Sequence, residues 1–412
     1  MTTIDEQVDV LMFGAEYGDP KTKENMKAEL RERLIEAEKE GRPLRVYAGY
    51  DPTRPDLHLG HTISMRKLRQ FQDFGHDVTF LVGTFTSLIG DPSDKGEARA
   101  QLTPEQVEEN AQTYAQQAFK ILDPEKTTVR RNHEWLGKLD FGDVIHMASN
   151  FTVQQFLARD NFSKRYDAGT PIYLHEFFYA LMQAYDAVAL NADVQVGGQD
   201  QLFNIVVAGR KLQQAMGQKP QVSIIMGEIL PGTDGVEKMS KSAGNHIPVM
   251  GEPWDMFGKI MSIPDSAMPI YHKLLLGWQP DQLEELENAL ADGSLHPNDA
   301  KMSLAREIVT IFHGEEGAET AQKRWDEVFR SKGDGIPEDI PEQKLNEEMR
   351  VLDILRDAKL VGSGKEFKQL VQNGGIRLDS EKIDDPQLSI SPSNLPVVLQ
   401  VGKRKFLRLV KE

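Results

Sequence analysis

Short runs of strand length, each leading through a glycine-bearing turn toward a helical stretch, recur over the first 226 residues and constrain the fold most. Residues 44–49 and 194–198 read as strands, and residues 78–82 and 222–226 are nearly continuous apolar runs of the kind buried on both faces of a sheet. Helical spacing separates them. Ile63, Leu68, Phe71 and Phe74 recur on one face of a helix opening at Thr62 and stopped by Gly75. Thr103-Pro104-Glu105-Gln106 combines an N-cap, a first-position proline and a capping-box glutamine, and its helix is expected to reach about Leu122. A further helix is expected from Asp200 to Met216, and residues 1 to about 41 read as polar helix ending at Gly41. Strands alternating with helices imply an α/β fold with a parallel sheet of the Rossmann type.

The pattern changes after Gly251. Residues 253–330 show helical periodicity without a convincing strand, and 332–343 (KGDGIPEDIPEQ) read as a charged, Gly- and Pro-bearing linker. Beyond it, helical pieces near 351–355 and 367–371 precede a Gly374-Gly375 turn into a strand at Ile376-Arg377-Leu378. The expected organisation is a catalytic domain over 1–250, a helical domain over 251–331, a linker over 332–346 and a small α+β domain over 347–412. At 412 residues the chain can bury a large core without a disulfide or metal staple. It has no cysteine, which excludes thiolate zinc sites and cysteine nucleophiles. The acidic N-terminus and the lack of any long apolar run argue against a signal peptide or membrane span, so a soluble, cytoplasmic protein is expected. A net charge of −16 argues against non-specific coating of nucleic acid. Residues 351–412 are different, with eleven Lys and Arg against eight Asp and Glu, which hints at one module meeting a polyanion.

Two short words carry the chemistry. His58-Leu59-Gly60-His61 lies between a buried strand and a helix start, where α/β sheets bind nucleotides. Two imidazoles beside a helix N-terminus can donate to phosphate oxygens, and Gly60 lets an adenine or ribose approach the backbone. Lys238-Met239-Ser240-Lys241-Ser242 lies in a loop with glycines on either side, suited to a mobile clamp on a pyrophosphate leaving group. Alone, the first could be a pair of capping-loop histidines and the second a solvated basic loop. Their occurrence in this order, about 180 residues apart, disfavours both. The helix expected over 173–190 is apolar nearly all round, yet Tyr179, Gln183 and Asp186 fall on one stripe. Buried polar groups need partners or cost about 1–3 kcal/mol each, so the stripe is either a core network or a binding surface.

The pair of words resembles the HIGH and KMSKS signatures of class I aminoacyl-tRNA synthetases, and from about Val46 onward the chain is most similar to their bacterial tyrosine-specific group. That resemblance implies activation of L-tyrosine by ATP, then transfer of the tyrosyl group to the 3′ end of tRNA(Tyr). It assigns His58, His61, Lys238 and Lys241 to catalysis. Tyr47, Asp91, Tyr179, Gln183, Asp186 and Gln201 would meet tyrosine, with Tyr47 and Asp186 sharing its hydroxyl. Gly49, Asp51, Gly60, Gly198 and Asp200 would join the catalytic four around ATP. Lys95 and Arg99 could add charge near the phosphates. Gln199 departs from the family, which carries a small hydroxyl residue there. The C-terminal segment resembles an S4-type RNA-binding domain, which implicates Arg377, Lys403, Arg404 and Lys405 in RNA contact. The family further implies a homodimer through residues 122–165, and magnesium arriving on the ATP phosphates rather than in a protein metal site. A related nucleotidyltransferase would need neither the tail nor the Tyr-Gln-Asp stripe. A tryptophan-specific relative would lack the S4-like domain, and a non-catalytic RNA-binding protein would have no use for the two words.

Overall fold

Five parallel strands form the central sheet: β1 (Arg45–Tyr50), β2 (Asp77–Val82), β3 (Thr127–Arg131), β4 (Val194–Gly198) and β5 (Val222–Met226). Their order is β3-β2-β1-β4-β5, so the direction of winding reverses between β1 and β4. The computed structural model describes residues 2–93, 102–241, 243–329, 340–402 and 405–411. The sheet was expected except for β3, whose sequence TTVRR has little apolar signal because it forms a half-exposed edge. β3 also falls inside the stretch 122–165 that the family resemblance marks as a dimerisation region.

Local chemistry explains the helices that flank the sheet. The N-terminal region is two helices rather than one: α1 (Ile4–Met12), with a Thr3–Glu6 capping box, and α2 (Pro20–Glu40), capped by Asp19 and ended by Gly41. Between them Gly14 takes a φ of 78°, a backbone that L side chains rarely adopt. Arg33 of α2 and Arg42 and Arg45 converge on the buried carboxylate of Asp193, just before β4, at 2.8–3.2 Å. α3 (Thr62–Asp73) buries Ile63, Met65, Leu68 and Phe71. The Thr103 capping box forms as expected, but the helix it opens breaks after Ala111. There Thr113 Oγ1 turns to Pro55 O at 2.6 Å. The run expected as one helix after β4 is a 3₁₀ turn (Gln199–Gln201), a π turn (Phe203–Gly209) and only then α-helix (Arg210–Ala215). The π turn packs closely on the end of β4, where a Cβ on Gly197 would lie 2.4 Å from Ile205.

Past Gly251 the described chain is helical to Phe329, with Gly314 interrupting Pro297–Phe329. The chain divides into two compact units, residues 1–252 with 259–314, and residues 253–258 with 315–412. In the second unit Trp325 meets Trp254, Phe257 and Phe329, with ring centroids 6.0, 5.9 and 4.1 Å apart. The same unit holds a five-stranded sheet and the helices Val351–Asp357 and Gly364–Gln372, around a core that includes Ile354, Phe367, Ile376 and Leu399. Of the stretch expected as linker, residues 332–339 lie outside the described residues. Glu342–Lys344 is instead a strand of this sheet, paired in parallel with Lys405–Val410.

Candidate active site

β1 and β4 end side by side where the winding reverses, the position at which open α/β sheets bind ligands. A cavity of ≈ 360 Å³ opens there. Its walls include Tyr47, Gly49 and Asp51 from β1 and the loop after it, His58, Gly60 and His61 from the first word, and Asp91. They also include Tyr179, Gln183 and Asp186 from the helix Leu174–Ala189, Gly198, Asp200 and Gln201 after β4, and Lys238. Residues as far apart as Tyr47 and Lys238 thus line one cavity, which takes in parts of both words and the whole polar stripe. Lys241 is not part of the wall; its Nζ lies 3.1 Å from Asp56. Arg377 and Lys405 are exposed in the second unit, while Lys95, Arg99, Lys403 and Arg404 lie outside the described residues.

The two imidazoles lie close together, with ring centroids 3.8 Å apart and planes tilted by 38°. The backbone N–H of His58 donates to His61 Nδ1 at 3.1 Å. Burial, aided by the neighbouring cations, pulls His61 down to about 4 and His58 to about 2, so both rings are neutral at pH 7. Because Nδ1 of His61 is an acceptor, its proton sits on Nε2, where it is a donor. The segment after the second word pairs by backbone with the first word and the residue before it: Leu59 N–H donates to Ile247 O, and Val249 N–H to Leu57 O. Met239 N–H bonds to Leu230 O at 3.0 Å, and Ser240 N–H to Asn245 Oδ1 at 2.8 Å. Asn245 therefore shapes the loop that carries the lysines.

The other end of the cavity is polar and enclosed. Tyr47 is 1% exposed and its hydroxyl is buried without a hydrogen-bond partner. Asp186, 3% exposed, accepts from Trp135 Nε1 at 2.7 Å and from Asn132 Nδ2 at 3.3 Å. Burial outweighs those two donors and raises its carboxyl to about 8. Asn132 also donates to Thr86 Oγ1, Thr86 donates to Asp51, and Asp51 accepts the Tyr179 hydroxyl at 3.0 Å. A Cβ at Gly83 would lie 2.0 Å from Asp51 Oδ1, so this approach requires glycine. Toward the mouth, Gln201 donates to Asp91 at 2.6 Å, and Asn204 donates to Gln183 and Gln201 at 2.9 and 3.0 Å. Burial, reinforced by the nearby Asp200 charge, raises the Asp91 carboxyl despite the bonds it accepts. Gln199, the departure from the family, lies on the wall with its side-chain oxygen buried and unpartnered.

Sequence reasoning missed Asn132, Trp135, Thr86 and Asn204. Asn132 and Trp135 follow the unexpected edge strand, and Asn204 lies buried in the π turn. Neither circumstance leaves a periodic signal.

Comparison with known proteins gives a consistent picture. The family model for tRNA synthetases class I (W and Y) matches residues 39–330. A tyrosine--tRNA ligase of Carboxydothermus hydrogenoformans is 48% identical over 390 residues, covering 93% of this chain and 94% of that protein. One of Oleidesulfovibrio alaskensis is 46% identical over 410 residues, 99% of each. Among solved structures, the tyrosyl-tRNA synthetase of Archaeoglobus fulgidus complexed with L-tyrosine superposes with a TM-score of 0.60 at 24% identity, over 78% of this chain and 100% of that one. The tryptophanyl-tRNA synthetase of Plasmodium falciparum gives 0.52 at 16% identity, over 70% of this chain and 81% of that one, so the fold is common to both specificities. By sequence and by fold, this chain belongs to the class I tRNA synthetases of the tryptophan and tyrosine group.

Proposed function

We propose that the protein activates L-tyrosine with ATP and passes the tyrosyl group to the 3′ end of tRNA(Tyr). The observation that carries the specificity is the enclosed end of the cavity, where the unpartnered Tyr47 hydroxyl and the Asp186 carboxyl are both buried. A phenol hydroxyl entering there can donate to Asp186 and accept from Tyr47. Asp91, Tyr179, Gln183 and Gln201 supply acceptors and dipoles for the substrate ammonium, and the carboxylate end then faces the two words.

In the first step a tyrosine carboxylate oxygen attacks the α-phosphorus of ATP. That P–O bond forms as the bond to the β-phosphate oxygen breaks, and pyrophosphate leaves with the electron pair. No protein nucleophile is needed, so the chain's work is positioning and charge stabilisation. His61 donates from Nε2, His58 supports it, and Lys238 and Lys241 meet the charge that grows on the phosphates. For Lys241 this requires exchanging Asp56 for phosphate, which a glycine-flanked loop permits. Gly49, Gly60, Gly198 and Asp200 form the nucleotide side, and magnesium is carried on the phosphates.

The reading extends to assembly and to RNA. Phe141, Ile145, Val153, Tyr166, Tyr173 and Leu174 are 53–78% exposed within one stretch of chain, a composition that favours a homodimer interface there. Arg377 and Lys405, exposed in the second unit, together with Lys403 and Arg404 next to Lys405 in sequence, are the basic residues proposed to meet the tRNA backbone in an S4-like module. No helix among the described residues is long and apolar enough to cross a membrane, and the reaction belongs to the cytoplasm. Pyrophosphate exchange with each of the twenty amino acids tests the proposal. Tyrosine should support exchange far above the rest, and a preference for tryptophan would overturn it.

A further inference from the structure

The first nineteen residues contain neither word, yet they touch the elements that carry both. Lys67 lies on α3, two turns beyond His61, and is only 3% exposed. Its Nζ donates to Val10 O at 2.9 Å and to Phe13 O at 3.1 Å, the carbonyls that close α1. α1 has no basic residue in its own last turn, so the cation that satisfies its C-terminal end comes from α3. A buried amine is costly without such partners. Burial lowers Lys67 to about 7, and a neutral amine still has two hydrogens for two carbonyls.

The chain leaves α1 and pairs at once with the end of β5. Glu16 N–H donates to Ile225 O at 2.8 Å, and Gly227 N–H to Gly14 O at 3.1 Å. Ala15 bridges Met226 antiparallel, and Tyr17 donates its hydroxyl to Ser223 O at 2.5 Å. Close approach is built in, since a Cβ on Gly227 would lie 2.2 Å from Glu16 Cβ. Met226, Glu228, Ile229 and Leu230 then line the cavity on the way to Lys238. One short segment thus holds the helix behind His61 at one end and the root of the lysine loop at the other, with Val8, Leu11 and Met12 anchoring it in the core.

We propose that residues 4–16 form a strap that fixes the spacing between the two words, with Lys67 as its positioning residue. The proposal rests on the adenylate-forming reading above. Its physical basis is that the histidines and lysines must meet the same phosphates, so an error in their separation acts on the transition state.

The test compares Lys67→Met, which keeps an apolar stem of similar reach, with Lys67→Arg, which keeps donors and charge. In full-length protein, Lys67→Met should lower kcat of pyrophosphate exchange at least about tenfold, since a misplacement of ~1 Å can cost ~10²-fold. KM for tyrosine should stay within about twofold, because the tyrosine end of the cavity does not depend on the strap. Lys67→Arg should recover most of the lost kcat. Normal kcat in folded Lys67→Met would overturn the proposal, as would a loss shared equally by Lys67→Arg or a rise in KM for tyrosine matching the fall in kcat. Should Lys67→Met fail to fold, Lys67→Gln, which keeps one shorter donor, is read by the same criteria. Each ratio to wild type is taken with whichever amino acid wild type activates, so an error in the substrate reading would appear separately, in the wild-type profile.

Discussion

Asp186 is the residue whose ionisation the cavity controls most. With its carboxyl raised to about 8, the free protein holds a proton there at neutral pH, whereas a phenol donor needs the carboxylate. Tyrosine affinity should therefore rise by more than tenfold from pH 6 to 8 and gain only about twofold more above, one unit of pH being worth up to ~1.4 kcal/mol. Stability of the ligand-free protein moves the other way. Between the usual carboxyl value and about 8 the folded state retains a proton the unfolded chain has released, so this group's contribution is present at low pH and lost as pH rises. Equilibrium titration of tyrosine binding against pH, in wild type and Asp186→Asn, checks the first effect; a flat wild-type profile would contradict it. The histidines behave differently. Held at about 4 and about 2, His61 and His58 stay neutral from pH 5.5 upward and should give no titration in the rate of activation. His61→Ala and Lys238→Ala should slow adenylate formation at least about tenfold while leaving the tyrosine dissociation constant nearly unchanged, the signature of groups that act in the transition state. Stopped-flow measurement of both quantities decides the matter.

At the scale of elements, the sequence was legible wherever one periodicity dominated. Val78 and Phe80 on β2, Phe71 on α3 and the Thr103 capping box announce themselves because burial or capping is decided locally. β3 was not legible, since an edge strand gains its place from pairing with β2 rather than from apolar content. The π turn was not legible either. It carries Ile205, packed tightly against Gly197, and Asn204, which donates to Gln183, and tertiary contacts of this kind leave no local pattern. Asn204→Ala should raise KM for tyrosine by the worth of those bonds, ~1–3 kcal/mol for a fully buried amide. Steady-state kinetics with thermal melting separates that loss from general destabilisation. The stripe of Tyr179, Gln183 and Asp186 was readable as a stripe because helical spacing aligned three polar groups on an apolar helix, while its binding role came from the family resemblance. Their partners Asn132 and Trp135 stand elsewhere in sequence with nothing to mark them.

For the whole molecule, the cavity and both words lie in the unit formed by residues 1–252 and 259–314, whereas the basic segment lies in the other. Glu342–Lys344 pairs with the last strand, so a clean truncation ends before it, at residue 339. That protein should retain tyrosine-dependent pyrophosphate exchange and lose most tRNA charging, with a flatter dependence of tRNA binding on salt as cationic contacts disappear. Equal charging by full-length and shortened chains would remove the RNA role of the tail. The central claim concerns the substrate hydroxyl, and one ratio tests it most directly: kcat/KM for tyrosine over phenylalanine, in wild type and in Tyr47→Phe. Phenylalanine would leave the Tyr47 hydroxyl without a partner and the charge of Asp186 without the phenol donor in a dry pocket. Wild type should therefore favour tyrosine by ~10⁴–10⁵-fold, a magnitude measured on tyrosine-specific synthetases themselves rather than obtained from this geometry. Tyr47→Phe should lower the ratio by the worth of one hydrogen bond, about 0.5–1.5 kcal/mol, or roughly two- to tenfold. A wild-type ratio near one, or a ratio that Tyr47→Phe leaves unchanged, would contradict the account.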